Sequence, residues 1–598
     1  MIVNDKPFLD KEISSMKLHY YAYVEGNKSA MVRLGMDKQK KKGTVDKETF
    51  ALYRKAADGG HPTANYLVGS CYLFGFYVEK DTKKAYEYIR KGAVGGNPDA
   101  RCMLGCMFEV GACVDKDPNV ALTWYRLASA QHHSLSSVKL GTFYQDGRAV
   151  EKDETRAVEL YKEAADADCA AGHYYMSLAY HDGIGGLEKN PSESYKECEK
   201  AAAEDYPPAL FRMAYFYEDG AITGKNPDMA REYLLKAASF DFPEALYRLG
   251  EIYRYGENTN KNLKKSFKYF KRAAERGFPP AFVQVGLAYE NGIGVDVDMK
   301  EASSFYTKGM IKKDMSAACC LAVCHLNHSL GEPNQELGYG LLLYAAEHHD
   351  VRAMCLYALR ERRSHIDGEK EKEFLLESAR NDYPEAMTAM GELLLEGKVF
   401  PRSTERAFYY LQRAVSKGDL MAKFVIADAH FSNKINRITD KVAIEYLKET
   451  ANAGHTRSMM KLAKCYSNGY GVKKDDNEAY IWYRRVADEP LKPRPSFLAN
   501  EKDRILYASH QRQAYAAMRT GQYLNIFQHR GLGSEKAKEY FEKASVSIPE
   551  AKAALAALWF YGNPLMKKKI CLSRALDIIT DFSDEKILAR LVWNISYK

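Results

Sequence analysis

One phrase, A-x-x-x-L-G-x-x-Y-x-x-G, returns along nearly the whole chain and constrains its fold more than any other feature. Its first position falls earliest at Ala30, recurs at 36-residue intervals at Ala209, Ala245, Ala281 and Ala317, and falls for the last time at Ala551. Self-similarity at a fixed interval of this length marks stacked repeats. In the clearest copy, Ala245, Leu249, Gly250 and Tyr253 fall on one helical face before Gly256. A second phrase, A-x-x-[YF]-[LYF]-x-[KR]-A, follows at Ala230 to Ala237, Ser266 to Ala273, Ala407 to Ala414 and Ala537 to Ala544. These are helices A and B of one hairpin. Neither buries its apolar face alone, so each hairpin must lean on the next. The expectation is an all-α solenoid of about fifteen helix-turn-helix repeats.

The loop between A and B carries its own signal, as in Asn291-Gly292-Ile-Gly294-Val295. Its first glycine suits the left-handed conformation that ends a helix. The residue that closes the loop (Asp153, Asn190, Asn226, Asn262, Asp298, Asp475) is placed to cap helix B.

With the LG pairs (Leu104-Gly105, Leu140-Gly141, Leu249-Gly250), the D/N-G-x-G-V loops and helices such as Ala121-Leu-Thr-Trp124-Tyr125, the chain resembles the Sel-one-like repeat (SLR) family. These are relatives of the tetratricopeptide repeats. The resemblance covers roughly residues 28 to 565. It implies a right-handed alpha-alpha superhelix that serves as a non-enzymatic scaffold or adaptor for a protein or peptide partner, with no cofactor. Some bacterial members are effector-like, which gives a protein engaging a host factor as an alternative. Single-stranded RNA binding is another, because pentatricopeptide hairpins have a similar length. Cysteine-rich relatives that resemble lactam-hydrolysing proteins have paired cysteines in successive repeats and an export signal, and this chain has neither.

The pattern divides the chain into an N-terminal cap (1–27), an SLR solenoid (28–488), a proline-containing insertion or hinge (489–513), C-terminal SLR repeats (514–569) and capping helices (570–598). Pro490, Pro493 and Pro495 cannot continue a helix. Repeats at Ala317 and Ala353 place His328 and Ser364 where the loop glycine is expected, and the copy at Ala422 has Asn433.

The 87 basic and 79 acidic residues nearly balance, which argues against a nucleic-acid footprint. The densest basic run, Lys38 to Lys42, is expected in a solvated loop. The first residues lack the apolar stretch of a secretory signal, and no apolar run is long enough for a membrane span, so a cytoplasmic protein is expected. Twelve dispersed cysteines read as reduced thiols.

Cys320, Cys324 and His328 share one helix face, with His348, His349 and Cys355 in the following hairpins. At 1.5 Å per residue the first three span about 12 Å, too far for one zinc ion, and small core residues are the better reading. The loop carboxylates recur with the repeat, as caps do and a single catalytic constellation does not. No hydrolase, zinc-protease or nucleotide fingerprint is present, so no catalytic or metal site is expected. A partner surface is expected on helix A, at the fourth, seventh, tenth and eleventh residues of each copy, which project away from helix B. In the central copies these are Tyr175, Arg212, Tyr215, Glu218, Arg248, Glu251, Arg254, Tyr255, Gln284 and Glu290. Tyrosine and arginine are the side chains most often found as binding hot spots. Self-association is left open.

Overall fold

The computed structural model describes residues 15–327, 330, 334–360 and 368–487. The insertion at 489–513, the repeats of 514–569, the capping helices of 570–598, and His328 and Ser364 lie outside the described residues. Among the described residues there are 27 α-helices and no strand. The chain forms two units, the first ending at Lys312 and the second starting at Lys313. In the first, a cap helix, Ser15–Tyr23, precedes eight A/B hairpins, from Lys28–Lys42 with Lys47–Asp58 to Pro279–Asn291 with Met299–Ile311. The second contributes five hairpins, from Met315–Leu326 with Gln335–Glu347 to Thr456–Asn468 with Asp476–Ala487. Within each unit, helix A packs on its own helix B, and that helix B packs on helix A of the following repeat. Each unit is therefore an all-α solenoid in which neighbours in sequence are neighbours in space.

Local chemistry explains where the helices begin and end. Helix A at Pro243–Tyr255 starts on a proline, whose missing N–H is no loss in a first turn. It ends at Gly256, with φ of 77°, where the Gly256 and Glu257 N–H groups both donate to the Ile252 carbonyl, at 2.9 and 3.2 Å. Where the copy at Ala422 lacks that glycine, Asn433 takes the left-handed conformation instead, with φ of 53°. The glycine-less helix Val351–Ala358 stops after 8 residues.

Most of the described A–B loops are then clamped twice by one residue. The Asp153 N–H donates to the Tyr144 carbonyl at 2.8 Å, and the Asp153 carboxylate accepts from the Arg156 N–H at 2.9 Å. Asn190, Asn226, Asn262, Asp298 and Asp475 do the same for their own hairpins. Replacing Asp153 by alanine should cost about 1 kcal/mol and lower amide-exchange protection in the first turn of Glu154–Asp166 roughly fivefold. Unchanged protection there would show that the cap contributes nothing.

The LG glycines serve close approach. A methyl group on Gly141 would sit 2.5 Å from the Tyr161 ring, and one on Gly105 or Gly250 would sit 2.6 Å from the Tyr125 or Phe270 ring. Tyr125, Tyr161 and Tyr306 are among the largest fully buried side chains. In these copies the signature glycine is thus the seat of an aromatic ring from helix B, and at Gly69 and Gly391 of Ile89 and Leu411 instead.

One expectation is corrected. Lys38 to Lys42 form no loop but the last turns of helix Lys28–Lys42. Lysine is a good helix former and its charge is favourable near a helix C-terminus. Lys42 and Lys38 also pair with Asp46 and Glu48, beyond the turn.

Candidate partner-binding surface

The surface of helix A is built from positions with different obligations. The tenth residue lies one helical turn beyond the glycine seat, so a tyrosine resting on that glycine directs its hydroxyl to it. Tyr125 donates to Glu109 at 2.7 Å, Tyr161 to Gln145 at 2.7 Å, and Tyr306 to Glu290 at 2.6 Å. In the copy at Ala245 helix B has Phe270, with no hydroxyl, and the tenth residue is Arg254. Tenth positions such as Glu290 therefore do not project away from helix B; they receive its phenols.

The tenth residue also meets the fourth residue of the following helix A. Lys139 pairs with Glu109 at 3.3 Å, Arg248 with Glu218 at 3.1 Å, and Arg254 donates to Gln284. Arg248 further reaches Glu257 at 2.7 Å and Glu251 at 3.5 Å. Burial works against the charge of Arg248, but Glu218 and Glu257 outweigh it and hold its pKa above the ordinary arginine value. Burial likewise opposes charge on Glu109, yet the Tyr125 hydroxyl, Lys139 and Arg148 keep its carboxyl below the usual range. Beside Arg248, a cleft of about 290 Å³ is lined by Glu218, Lys225, Arg231, Ile252 and Glu257 among others.

The ten expected surface residues accordingly fall into groups. Glu218, Arg248, Arg254, Gln284 and Glu290 are engaged in joining helices, and Glu251 pairs with Arg248 on its own helix. Tyr175 stacks on Tyr161 with ring centroids 4.9 Å apart, and burial raises its phenol pKa. Arg212 is half-buried, its guanidinium 5.4 Å from the Phe216 ring centre and 3.5 Å from Ser194 Oγ. Tyr215 and Tyr255 remain open, 56% and 66% exposed. The structure does not gather the ten into one site: it makes a ladder of rungs with two tyrosines standing out from it. Sequence reasoning missed Glu257, and it missed that Glu109 and Lys139 form the same rung. The signal was complementary chemistry 30 residues apart, as in Glu218 with Arg248.

The cysteine cluster serves packing. Cys319, Cys320, Cys324 and Cys355 are all buried, and burial pushes the Cys319 thiol upward. Arg352 donates to Cys320 Sγ at 3.5 Å. His348 contacts the Tyr344 carbonyl and His349 contacts Glu377. Among the described residues, no three His, Cys, Asp or Glu side chains come together as a metal site.

The Sel1 repeat model matches this chain at eleven stretches, from 28–61 and 62–97 through 243–278 to 456–490 and 514–545, together more than half of its length. The chain belongs to the Sel1 repeat family. Its Sel1 repeats form a scaffold of a kind that is generally non-catalytic and commonly mediates protein interactions. Three solved structures are similar. A protective antigen of uropathogenic Escherichia coli displaying an SLR fold is 19% identical, covering 87% of this chain and 99% of its own, with a TM-score of 0.42. A Sel1 repeat protein from Oxalobacter formigenes is 25% identical over 53% of this chain and 92% of its own, with a TM-score of 0.34. An immunity protein from Pseudomonas aeruginosa is 22% identical over 36% of this chain and 81% of its own, with a TM-score of 0.30. None of the curated proteins matches the chain. Among the described residues of this Sel1 repeat protein, no helix is long and apolar enough to cross a membrane.

Proposed function

We propose that this Sel1 repeat protein is a non-enzymatic cytoplasmic adaptor that holds a protein or peptide partner along the helix A surface and so assembles a complex. The observation that carries this reading is the pair Tyr215 and Tyr255, large amphipathic side chains left 56% and 66% exposed on helices whose Glu218, Arg248, Glu251 and Arg254 are tied down. Exposed tyrosines on a rigid frame give contact area at low cost in conformational entropy, because the frame is already ordered. The described cysteines are all free thiols, which supports a reducing compartment.

A photo-crosslinking amino acid at position 215 or 255 should form adducts with one and the same partner in native cell extract. The same reagent at Leu235, exposed on a helix B, should not. The double substitution Tyr215→Ala with Tyr255→Ala should weaken capture of that partner at least about tenfold, with stability changed by less than about 0.5 kcal/mol. Full capture by the double variant would remove the helix A surface from consideration.

A further inference from the structure

The Sel1 scaffold carries a charged face that the helix A surface does not explain. Helix B at Leu263–Glu275 buries Ser266, Phe270, Ala273 and Ala274. On its opposite side stand Lys264, Lys268 and Lys271, with Lys265 on the flank and Lys261 just before the helix. Lys261, Lys264, Lys265 and Lys268 are exposed and Lys271 is partly so. None of the five ammonium groups enters an ion pair among the described residues; Lys265 alone has a charge partner of another kind, the Tyr253 ring, 5.2 Å away. Some basic residues of other B helices, and one on this helix, do find an acid in the turn of the preceding repeat. Lys236 pairs with Asp205 at 2.5 Å, and Arg272, on this same helix, pairs with Asp241 at 2.6 Å. On the outward face the only carboxylate of the helix is Glu275, at its end.

We propose that this lysine row is a second docking surface, on helix B, for an extended acidic peptide segment with Asp or Glu at alternate positions. The spacing supports that occupant. Lys264 and Lys268 are about 6 Å apart along the helix axis, and Lys268 and Lys271 about 4.5 Å. An extended strand presents same-side residues about 6.7 Å apart, close to the Lys264–Lys268 interval, and the long flexible lysine stem takes up the shorter step to Lys271. The helix offers little to the other polyanions. Its aromatic rings are occupied, Phe267 against Tyr289 at 5.3 Å and Tyr269 on Tyr253 at 5.7 Å, so no free ring is left for a nucleobase to stack on. No large apolar side chain of this helix is exposed for insertion into a bilayer.

The test uses the full chain and a fluorescein-labelled peptide of alternating Glu and Thr, about ten residues long, at low ionic strength, where surface charges are least screened. The triple substitution Lys264→Gln, Lys268→Gln and Lys271→Gln should raise the peptide Kd about tenfold, a sum of modest surface pairs. Lys40→Gln, Lys41→Gln and Lys47→Gln together remove the same charge elsewhere and should change it less than about twofold. Equal weakening by both triples would reduce the effect to net charge and overturn the proposal. So would a larger dependence on the row for a polyuridine RNA or for phosphatidylserine vesicles than for the peptide. The helix A variants at Tyr215 and Tyr255 should bind this peptide as the parent does, which keeps the two surfaces separable.

Discussion

Gly141→Val should destabilise the first unit by about 3 kcal/mol, read as a lowered urea midpoint, because the new side chain must enter the space of the Tyr161 ring. A single methyl there already falls 2.5 Å from that ring, and Tyr161 is fully buried with its hydroxyl held by Gln145. The ring has nowhere to retreat without leaving its bond. Tyr161→Ala alone should cost about 3 to 5 kcal/mol through the cavity it leaves. The double variant places the valine in that cavity, so the two losses should not add: a coupling of at least about 1.5 kcal/mol is expected from the cycle. Additive losses would mean that the glycine is not the seat of the ring. The equivalent pairs Gly105 with Tyr125 and Gly250 with Phe270 should behave alike, since their approach is the same within 0.1 Å by the 2.6 Å distance in each.

Arg248→Glu should be the most damaging single charge change on the helix A surface. It removes the guanidinium that Glu218, Glu251 and Glu257 share and puts a fourth carboxylate in its place. The group is partly solvated, so the cost is expected at about 2 to 3 kcal/mol, below that of a fully buried pair. Its sign with pH is diagnostic. The deficit is full at neutral pH, where the new carboxylate repels its neighbours, and shrinks as the medium is acidified toward about pH 4, where side-chain carboxylates in general lose their charge. Arg248→Met, which removes the cation without adding an anion, should lose less and show a weaker pH dependence. A deficit that is equal for both variants and flat with pH would show that the arginine contributes packing and not charge.

Much of the fold was legible because its signals are local. The glycine that ends helix A, the Asp or Asn that caps helix B and the small residues between them all act within a few positions of where they stand, and Asp153, Asn262 and Asp298 cap as their place in the repeat implies. The surface was less legible because its residues answer to partners a whole repeat away. Arg248 read alone is a hot-spot candidate; beside Glu218, 30 residues earlier, it is a strut. Glu290 was misjudged for a geometric reason. A projection from the small-residue face treats the helix B contact as a line, whereas the long Tyr306 ring crosses Gly286 and delivers its hydroxyl one turn further on. The Lys38 to Lys42 run misled because a charge run was taken as a break in structure, when lysine both tolerates a helix and suits its end.

The pairing of each helix chiefly with those before and after it has a consequence for how the molecule is made. On a ribosome, a hairpin leaving the exit tunnel packs at once on the hairpin made before it, and only the outer face of its helix B waits for helix A of the next repeat. Folding then trails synthesis by about one hairpin, and a gene for such a protein can gain or lose a run of whole repeats while every remaining hairpin still finds a neighbour.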